Sequence, residues 1–278
     1  MNSAVTPEQP YRDLSEAERQ ALQDDGVICV RGALGERWLE TIADGMERIK
    51  ARPGVIADIL SMPEKGFTGY LFMWRKHKAF ADLLFESPLA RLAQQAMNSR
   101  VVKHWYDQLF LKAPGADVPT PWHHDLTFWP IRGSEIISIW IPVDPVDRAS
   151  SGLEYIRGSH LWDNRYKAIT PDYSEFMVNP ELEDAPDIEA NREAYDLLSW
   201  DMQPGDILIF HPLIVHGSGG NQSTTRHRRA LASRWVGEDV FYDPRPHTMP
   251  LPPGHGLEAG ERLHGHLFPT VLGSDNQV

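Results

Sequence analysis

Cysteine is almost missing from this sequence. The single thiol, Cys29, in 278 residues excludes an intramolecular disulfide and any zinc cage built from cysteines, and it fits a reducing compartment. Long apolar runs are missing as well. None approaches the roughly 18 residues a membrane span needs, and the opening MNSAVTPEQPYRD has no charged-then-apolar signal pattern. Positive charge is scarce, with 27 Lys and Arg against 39 Asp and Glu and a formal net charge of −12. Such a balance repels phosphate backbones and anionic membrane surfaces, so neither nucleic acid nor membrane is an expected partner, and the cytoplasm is the expected location. The one basic cluster near the front, RKHK at Arg75 to Lys78, reads as a solvated face, with an anion-recognising rim as the alternative. No internal repeat is visible.

What the chain does have is proline and tryptophan, 22 and 9 residues respectively, which suggest many turns around an aromatic interior. Its length suits one domain, near the upper end of what a β-barrel or sandwich holds. The first hundred residues read as helical. In LSEAERQALQDDG, Ser15 and Glu18 make a capping box and Gly26 stops the helix. In GERWLETIADGMERIKARPG, Leu39, Ile42, Met46 and Ile49 recur along one face and are expected in the core. A third helix is expected in SPLARLAQQAMNS, capped by Ser87 and ending near Asn98.

From about residue 101 to 240 the pattern turns to short β-rich runs: VVKHWYDQLFLK, EIISIWIPV, LEYI, DILIF, LIVH and ALASRWV. Helices first and short strands after them predict a mainly β, antiparallel sandwich or barrel with helices packed outside. The acidic, proline-punctuated stretch from Trp162 to Trp200 interrupts the rhythm, either as a solvated insertion or as a lid over a site. The tail RPHTMPLPPGHGLEAGERLHGHLFP carries His247, His255, His264 and His266, but its Pro and Gly content favours an irregular surface wrap over metal binding.

The chemistry concentrates in two places. In PWHHDLTFWP, His123 and Asp125 stand two residues apart, the spacing that turns both side chains to one face of an extended segment while His124 points away. His124 is therefore expected behind the site or at the surface. In GDILIFHPLIVHGSGGNQSTTRHRRALASRW, a histidine follows an apolar strand and a Gly-rich loop carries the chain back. Two histidines and a carboxylate on one face of an octahedral metal leave the other face open for co-substrate and oxygen, as in non-haem Fe(II) oxygenases. His123, Asp125 and His216 can supply that set. His211 competes for the distal position; His216 is preferred because it precedes the mobile loop GSGGN.

Together these stretches resemble the phytanoyl-CoA dioxygenase family of Fe(II)- and 2-oxoglutarate-dependent oxygenases. The matching marks are PWHHD, GLEYIRGSH at 152 to 160, GDILIFHPLIVHGSG at 205 to 219 and RRALASRW after it, in family order over about half the chain. The resemblance implies a double-stranded β-helix, that is a cupin-like jelly roll, and iron held by His123, Asp125 and His216. It implies that Arg228 anchors 2-oxoglutarate, a task suited to a planar guanidinium fork, with Arg226 and Arg229 as competitors. Ser218, Trp140 and Gln108 fall where the family contacts the co-substrate, although core packing accounts equally well for Trp140. Arg157 and His160 are either structural or substrate-facing. The family position between the first two ligands is often glutamine and here is His124. The activity implied is hydroxylation of a small organic molecule, using O2 and releasing succinate and CO2; the ligand carboxylate is present, so the place that halogenating relatives vacate for chloride is filled. A metal-dependent hydrolase and a catalytically silent jelly-roll binding protein are the rival readings. The substrate pocket is expected from MPEKGFTGYLFMWRKHK and the 162 to 200 insertion.

Overall fold

The alternation in IISIWIP decides the architecture. This strand, β6 (Ile136–Pro142), sends Ile137, Ile139 and Ile141 into one apolar cluster and Trp140 into another on its opposite face, as the period-two pleat requires. The first cluster is the contact with the helices; the second fills the interior of a jelly roll. The computed structural model describes residues 6–51, 61–169 and 178–274.

Four helices, α1 (Glu16–Asp25), α2 (Glu36–Ala51), α3 (Lys78–Glu86) and α4 (Leu89–Met97), precede or flank the strands. The major sheet contains β1 (Val27–Val30), β2 (Phe67–Leu71), β3 (Val102–Lys112), β6, β9 (Ile207–Phe210), β11 (Arg228–Val236) and β13 (Thr270–Leu272). Its order is β1-β9-β6-β11-β3-β13, with β2 also on the free edge of β3, and every pairing is antiparallel. The minor sheet, β4-β10-β7-β8, is built from β4 (Thr120–His123), β10 (His216–Ser218), β7 (Glu154–Ile156) and β8 (Leu197–Ser199). A small ribbon joins β5 (Ile131–Arg132) to β12 (Phe241–Tyr242). The two larger sheets face each other across the aromatic interior, the arrangement expected of the jelly roll.

The helical expectations hold in outline. Ser15 and Glu18 cap α1 reciprocally, and Gly26 ends it at φ 83°, a left-handed conformation that glycine adopts without strain. On α2, Ile42, Met46 and Ile49 are fully buried, whereas Leu39 is only partly so and Trp38 takes the core position beside it. Asn98 ends α4 in the left-handed region at φ 53°. Ser87 does not cap α4 as expected. It closes α3, a helix that the sequence reading lacks, and Pro88 occupies the cap of α4. LIVH is likewise not a strand: residues 211–215 form a turn and β10 begins only at His216. Among the described residues no helix is long and apolar enough to cross a membrane. RKHK lies on an exposed face, where Lys78 pairs with Asp82 one turn along α3.

His104 on β3 is packed between Trp74 and Trp235, 1% exposed. Burial, with Arg234 nearby, lowers its pKa to about 3. The unfolded chain takes up a proton near pH 6.5 and the folded one does not, so this group's stabilisation is present above pH 6.5 and lost as pH falls toward 3. Between pH 7 and pH 5 the loss is expected to be roughly 2 kcal/mol. Urea unfolding of wild type and His104→Phe at the two pH values checks this: the variant should lose about that much less.

Candidate active site

Three side chains converge where the minor sheet meets the interior. β10 pairs with β4 so that His216 lies opposite His123, bringing the imidazole centroids to 4.3 Å. His124 continues in extended conformation and Asp125 opens a short 3-10 turn, so the spacing of two still turns His123 and Asp125 to the same side. His123 Nε2 lies 3.5 Å from Asp125 Oδ1. One ligand atom from each of His123, Asp125 and His216 lies within 4.8 Å of the other two.

Their orientation is fixed from behind. His123 Nδ1 donates to the Pro121 carbonyl at 2.8 Å and His216 Nδ1 to that of Ile214 at 3.0 Å. A carbonyl can only accept, so each Nδ1 carries the hydrogen and each Nε2 keeps its lone pair for a metal. Tyr155 stacks on His216 at 5.5 Å and Phe210 packs against both rings, 5.1 Å from His216. Burial, then the neighbouring His123, lowers the His216 pKa to about 3; the ring is neutral, as a ligand must be. Ser138 Oγ donates to Asp125 Oδ2 at 3.2 Å, and Arg234 Nε stands 3.6 Å from the same oxygen. Burial works against the charge of Asp125, but Arg234 and the two imidazoles outweigh it and hold the carboxyl far below its ordinary range. Two imidazoles and one carboxylate are a donor set that suits Fe(II).

His124 is neither at the surface nor at the centre. It is 2% exposed, stacks on Tyr166 at 5.6 Å and accepts that residue's N–H at 3.1 Å, which ties the insertion to the ligand strand. His211 stands away from the centre, its ring 5.3 Å from His160. His160 bonds the Gln23 carbonyl and Arg157 pairs with Asp25 and Asp196; both tether α1. His255 and His264 bond within the tail.

The inner face of β11 carries Arg228, Ala230, Ala232 and Arg234 in alternation, paired with Lys112, Phe110, Gln108 and Tyr106 of β3. Arg228 is 2% exposed; among the described residues its side chain makes one hydrogen bond, from Nη2 to Ser151 Oγ at 3.2 Å, and its Nε has no partner. Burial lowers it to about 10, and the side chain stays charged. The competitors are engaged elsewhere: Arg226 with Asp147, and Arg229 with Asp144 and Glu47 on the outer face. Trp140 lies under Arg228, 5.7 Å from ring centroid to guanidinium carbon. Ser218 bonds Ser151 and Lys112.

Lys112 is the residue that sequence reading missed. It is 1% exposed, and its Nζ meets Ser151 Oγ at 2.8 Å, Ser218 Oγ and the Gly219 carbonyl at 3.2 Å, and no carboxylate. Burial, reinforced by Arg228, drives its pKa well below the ordinary lysine value. The signal was present: Lys112 falls on the inward parity of β3, with Gln108 and Phe110, but a lysine ending a strand reads as solvent-facing.

His123, Asp125, His216, Arg228, Trp140 and Gln108 line one cavity of about 380 Å³, within the range of small-molecule sites, and Lys112 joins it only through Ser151 and Arg228. Phe67, Leu71 and Phe72 contribute to it, as the expected MPEKGFTGYLFMWRKHK segment would, and Ile169 represents the insertion. Residues 170–177 of that insertion lie outside the described residues. The tail is more than a surface wrap, because Met249 to Pro253 form one wall.

An antiparallel jelly roll with a two-histidine, one-carboxylate cluster at its inner face defines the class of metal-site β-helix proteins. A family profile of phytanoyl-CoA dioxygenases matches residues 22–230, and the chain belongs to that family. Human peroxisomal phytanoyl-CoA dioxygenase is 31% identical over 126 residues, 44% of this chain but only 35% of that relative's length. The 1-deoxypentalenic acid 11-beta-hydroxylase of Streptomyces arenae is 25% identical over 224 residues, 77% of each chain. Among solved structures, the alpha ketoglutarate dependent carbocyclase SnoK from nogalamycin biosynthesis superposes with a TM-score of 0.75 at 21% identity, covering 95% of this chain and 99% of its own. EctD from S. alaskensis, solved with 2-oxoglutarate and 5-hydroxyectoine, gives 0.68 at 17% identity over 94% and 90%. These two likenesses establish the jelly-roll fold.

Proposed function

We propose that the chain is a non-haem Fe(II)- and 2-oxoglutarate-dependent oxygenase that hydroxylates a small organic molecule. The observation that carries this reading is the buried Arg228 at the wall of the cavity that His123, Asp125 and His216 also line, with a second buried cation, Lys112, joined to it through Ser151 and neither meeting a carboxylate among the described residues. A buried charge without a counter-ion costs several kcal/mol, and a dicarboxylate would neutralise both cations and the metal at once. A hydrolase using the same three ligands has no use for such a pair.

Fe(II) held by His123, Asp125 and His216 would supply oxygen activation, and with 2-oxoglutarate the two-electron oxidation of a C–H bond. The chain's part is placement and exclusion. Arg228 receives the distal carboxylate in its planar fork, Lys112 adds a point charge beside it, and the Ser151 and Ser218 hydroxyls orient both. Trp140 and Gln108 line the same cavity and would contact a bound co-substrate, and Ile169 with Met249 to Pro253 would keep water from it. Burial pushes the half-buried Cys29 thiol up to about 11, which keeps it in the unreactive thiol form.

The test is anaerobic loading with Fe(II) and 2-oxoglutarate followed by oxygen, with succinate measured across a panel of candidate substrates. Oxygen-dependent succinate that rises with one class of substrate is the expected outcome. Turnover supported by zinc without oxygen would reassign the protein to hydrolysis.

A further inference from the structure

The two ends of the β11 inner face are both cationic, and only one is accounted for by the co-substrate. Arg228 and Arg234 stand six residues apart, roughly 20 Å along an extended strand, with Ala230 and Ala232 between them on the same face and Ala232 lining the cavity. Arg234 is held firmly. Its side chain is 5% exposed, its guanidinium carbon lies 4.3 Å from the Tyr106 ring centroid and 5.5 Å from that of Trp129, and Nη2 donates to Gln108 Oε1 at 3.1 Å. The remaining donors are poorly served: Nε stands 3.6 Å from Asp125 Oδ2 and Nη1 meets no acceptor. Packed against two rings and bonded to Gln108, this guanidinium is held at the cavity wall.

The polar groups around it are donors too. Tyr106 accepts from Trp129 Nε1 at 2.8 Å, which leaves its own O–H to donate, and Gln108 has its oxygen occupied by Arg234. Counting charge in the loaded site, a ferrous ion, the Asp125 carboxylate, a 2-oxoglutarate dianion and Arg228 cancel. Arg234 is left over, and a protonated Lys112 would add to the excess. Asp107, the other carboxyl near Arg234, points to the opposite face of β3, where it accepts the Trp74 N–H, and burial raises it to about 7. Nearby His104 is neutral at that pH.

We propose that Arg234 is the specificity-determining residue for substrate: the chain selects an apolar molecule bearing one anionic oxygen, a carboxylate or an acidic enol, which Arg234 receives with the Tyr106 hydroxyl beside it. The remaining lining that this half of the cavity offers, Leu71, Phe72, Phe128, Met249 and Leu251 among it, suits the hydrocarbon part. The inference rests on the oxygenase reading for the place of the metal and co-substrate.

The test uses full-length protein loaded with Mn(II) and saturating 2-oxoglutarate, and calorimetric binding of matched probes: decanoic acid against decanamide, and 1-adamantaneacetic acid against its amide. Wild type should bind at least one acid about tenfold or more tightly than its amide, the scale of a charge-assisted hydrogen bond. In Arg234→Gln that preference should vanish while 2-oxoglutarate affinity stays within about threefold. The inference is overturned if no acid is preferred in wild type, if acids bind only by displacing 2-oxoglutarate, or if Arg234→Gln weakens Mn(II) binding but keeps the preference. The last result would make Arg234 merely a positioning residue for Asp125. Failure of wild type to bind Mn(II) and 2-oxoglutarate would instead sink the oxygenase reading, and the acid and amide pairs would then be compared on the metal-free protein by the same criterion.

Discussion

Replacing His216 by alanine is expected to lower Fe(II) or Mn(II) affinity by more than about 100-fold and to abolish oxygen-dependent succinate formation, whereas His211→Ala should leave metal affinity within about threefold. The contrast follows from geometry. His216 faces His123 across the β10 and β4 pairing, with its Nδ1 hydrogen spent on Ile214. The His211 ring instead faces His160, and its Nδ1 accepts the Leu213 N–H. Loss of an oriented imidazole removes one of three protein ligands, and even removal of a supporting group behind a ligand typically costs 10- to 100-fold. The fold should persist, because Tyr155 and Phe210 pack against each other at 5.3 Å without the imidazole between them. Titration of metal into each variant, with circular dichroism as the control for folding, checks the ligand assignment independently of any substrate. Equal loss in the two variants would place the distal ligand elsewhere.

The convergence of His123, Asp125 and His216 was legible from sequence because it depends on local rules. A spacing of two residues in an extended segment sets the common side of His123 and Asp125, and the turn before His216 is short enough that only two histidines compete. The choice between those two was decided by tertiary packing, which turned His211 against His160. With β11 starting at Arg228, strand parity turns Arg228 inward and Arg229 outward. What sequence could not show was which polar residues lose contact with water. Lys112 and Arg234 look like ordinary strand charges; Lys112 becomes buried because Ser151, Ser218 and Gly219 cover its end of β3, and Arg234 because Tyr106 and Trp129 pack against it. The missing α3 has a similar cause: its polar start, Lys78, lies in the RKHK run, and its burial of Phe80, Leu83 and Leu84 is visible only against the other helices and the sheet. The tail misled for the opposite reason, since proline-rich irregular chain reads as surface, yet Met249 to Pro253 wall the cavity while Leu263, Leu267 and Phe268 anchor them in the interior.

Arg228→Met and Lys112→Met are expected to move ligand affinity and stability in opposite directions, which separates a binding residue from a structural one. Each wild-type cation sits in the interior without a carboxylate, so the free protein bears a desolvation cost that an apolar side chain of similar length removes; a gain of about 1–4 kcal/mol in unfolding free energy is expected for either variant. With 2-oxoglutarate present the order reverses. Truncating one partner of a buried charge pair costs about 2–5 kcal/mol, so Arg228→Met should raise the 2-oxoglutarate Kd by about 30-fold or more, with metal affinity little changed. Lys112→Met should raise it by less, because a lysine already driven toward its neutral form by burial and Arg228 contributes less charge. The pH dependence carries the sign. A lysine whose folded pKa lies below 10.5 takes up its proton more readily in the unfolded chain, so the wild type gains stability as pH rises through the range between the two values. The advantage of Lys112→Met over wild type should therefore shrink toward pH 10.5. Chemical denaturation at several pH values, with and without 2-oxoglutarate, reads both effects; a variant that loses stability in the free protein would mean that its cation is held for the fold and not for the ligand.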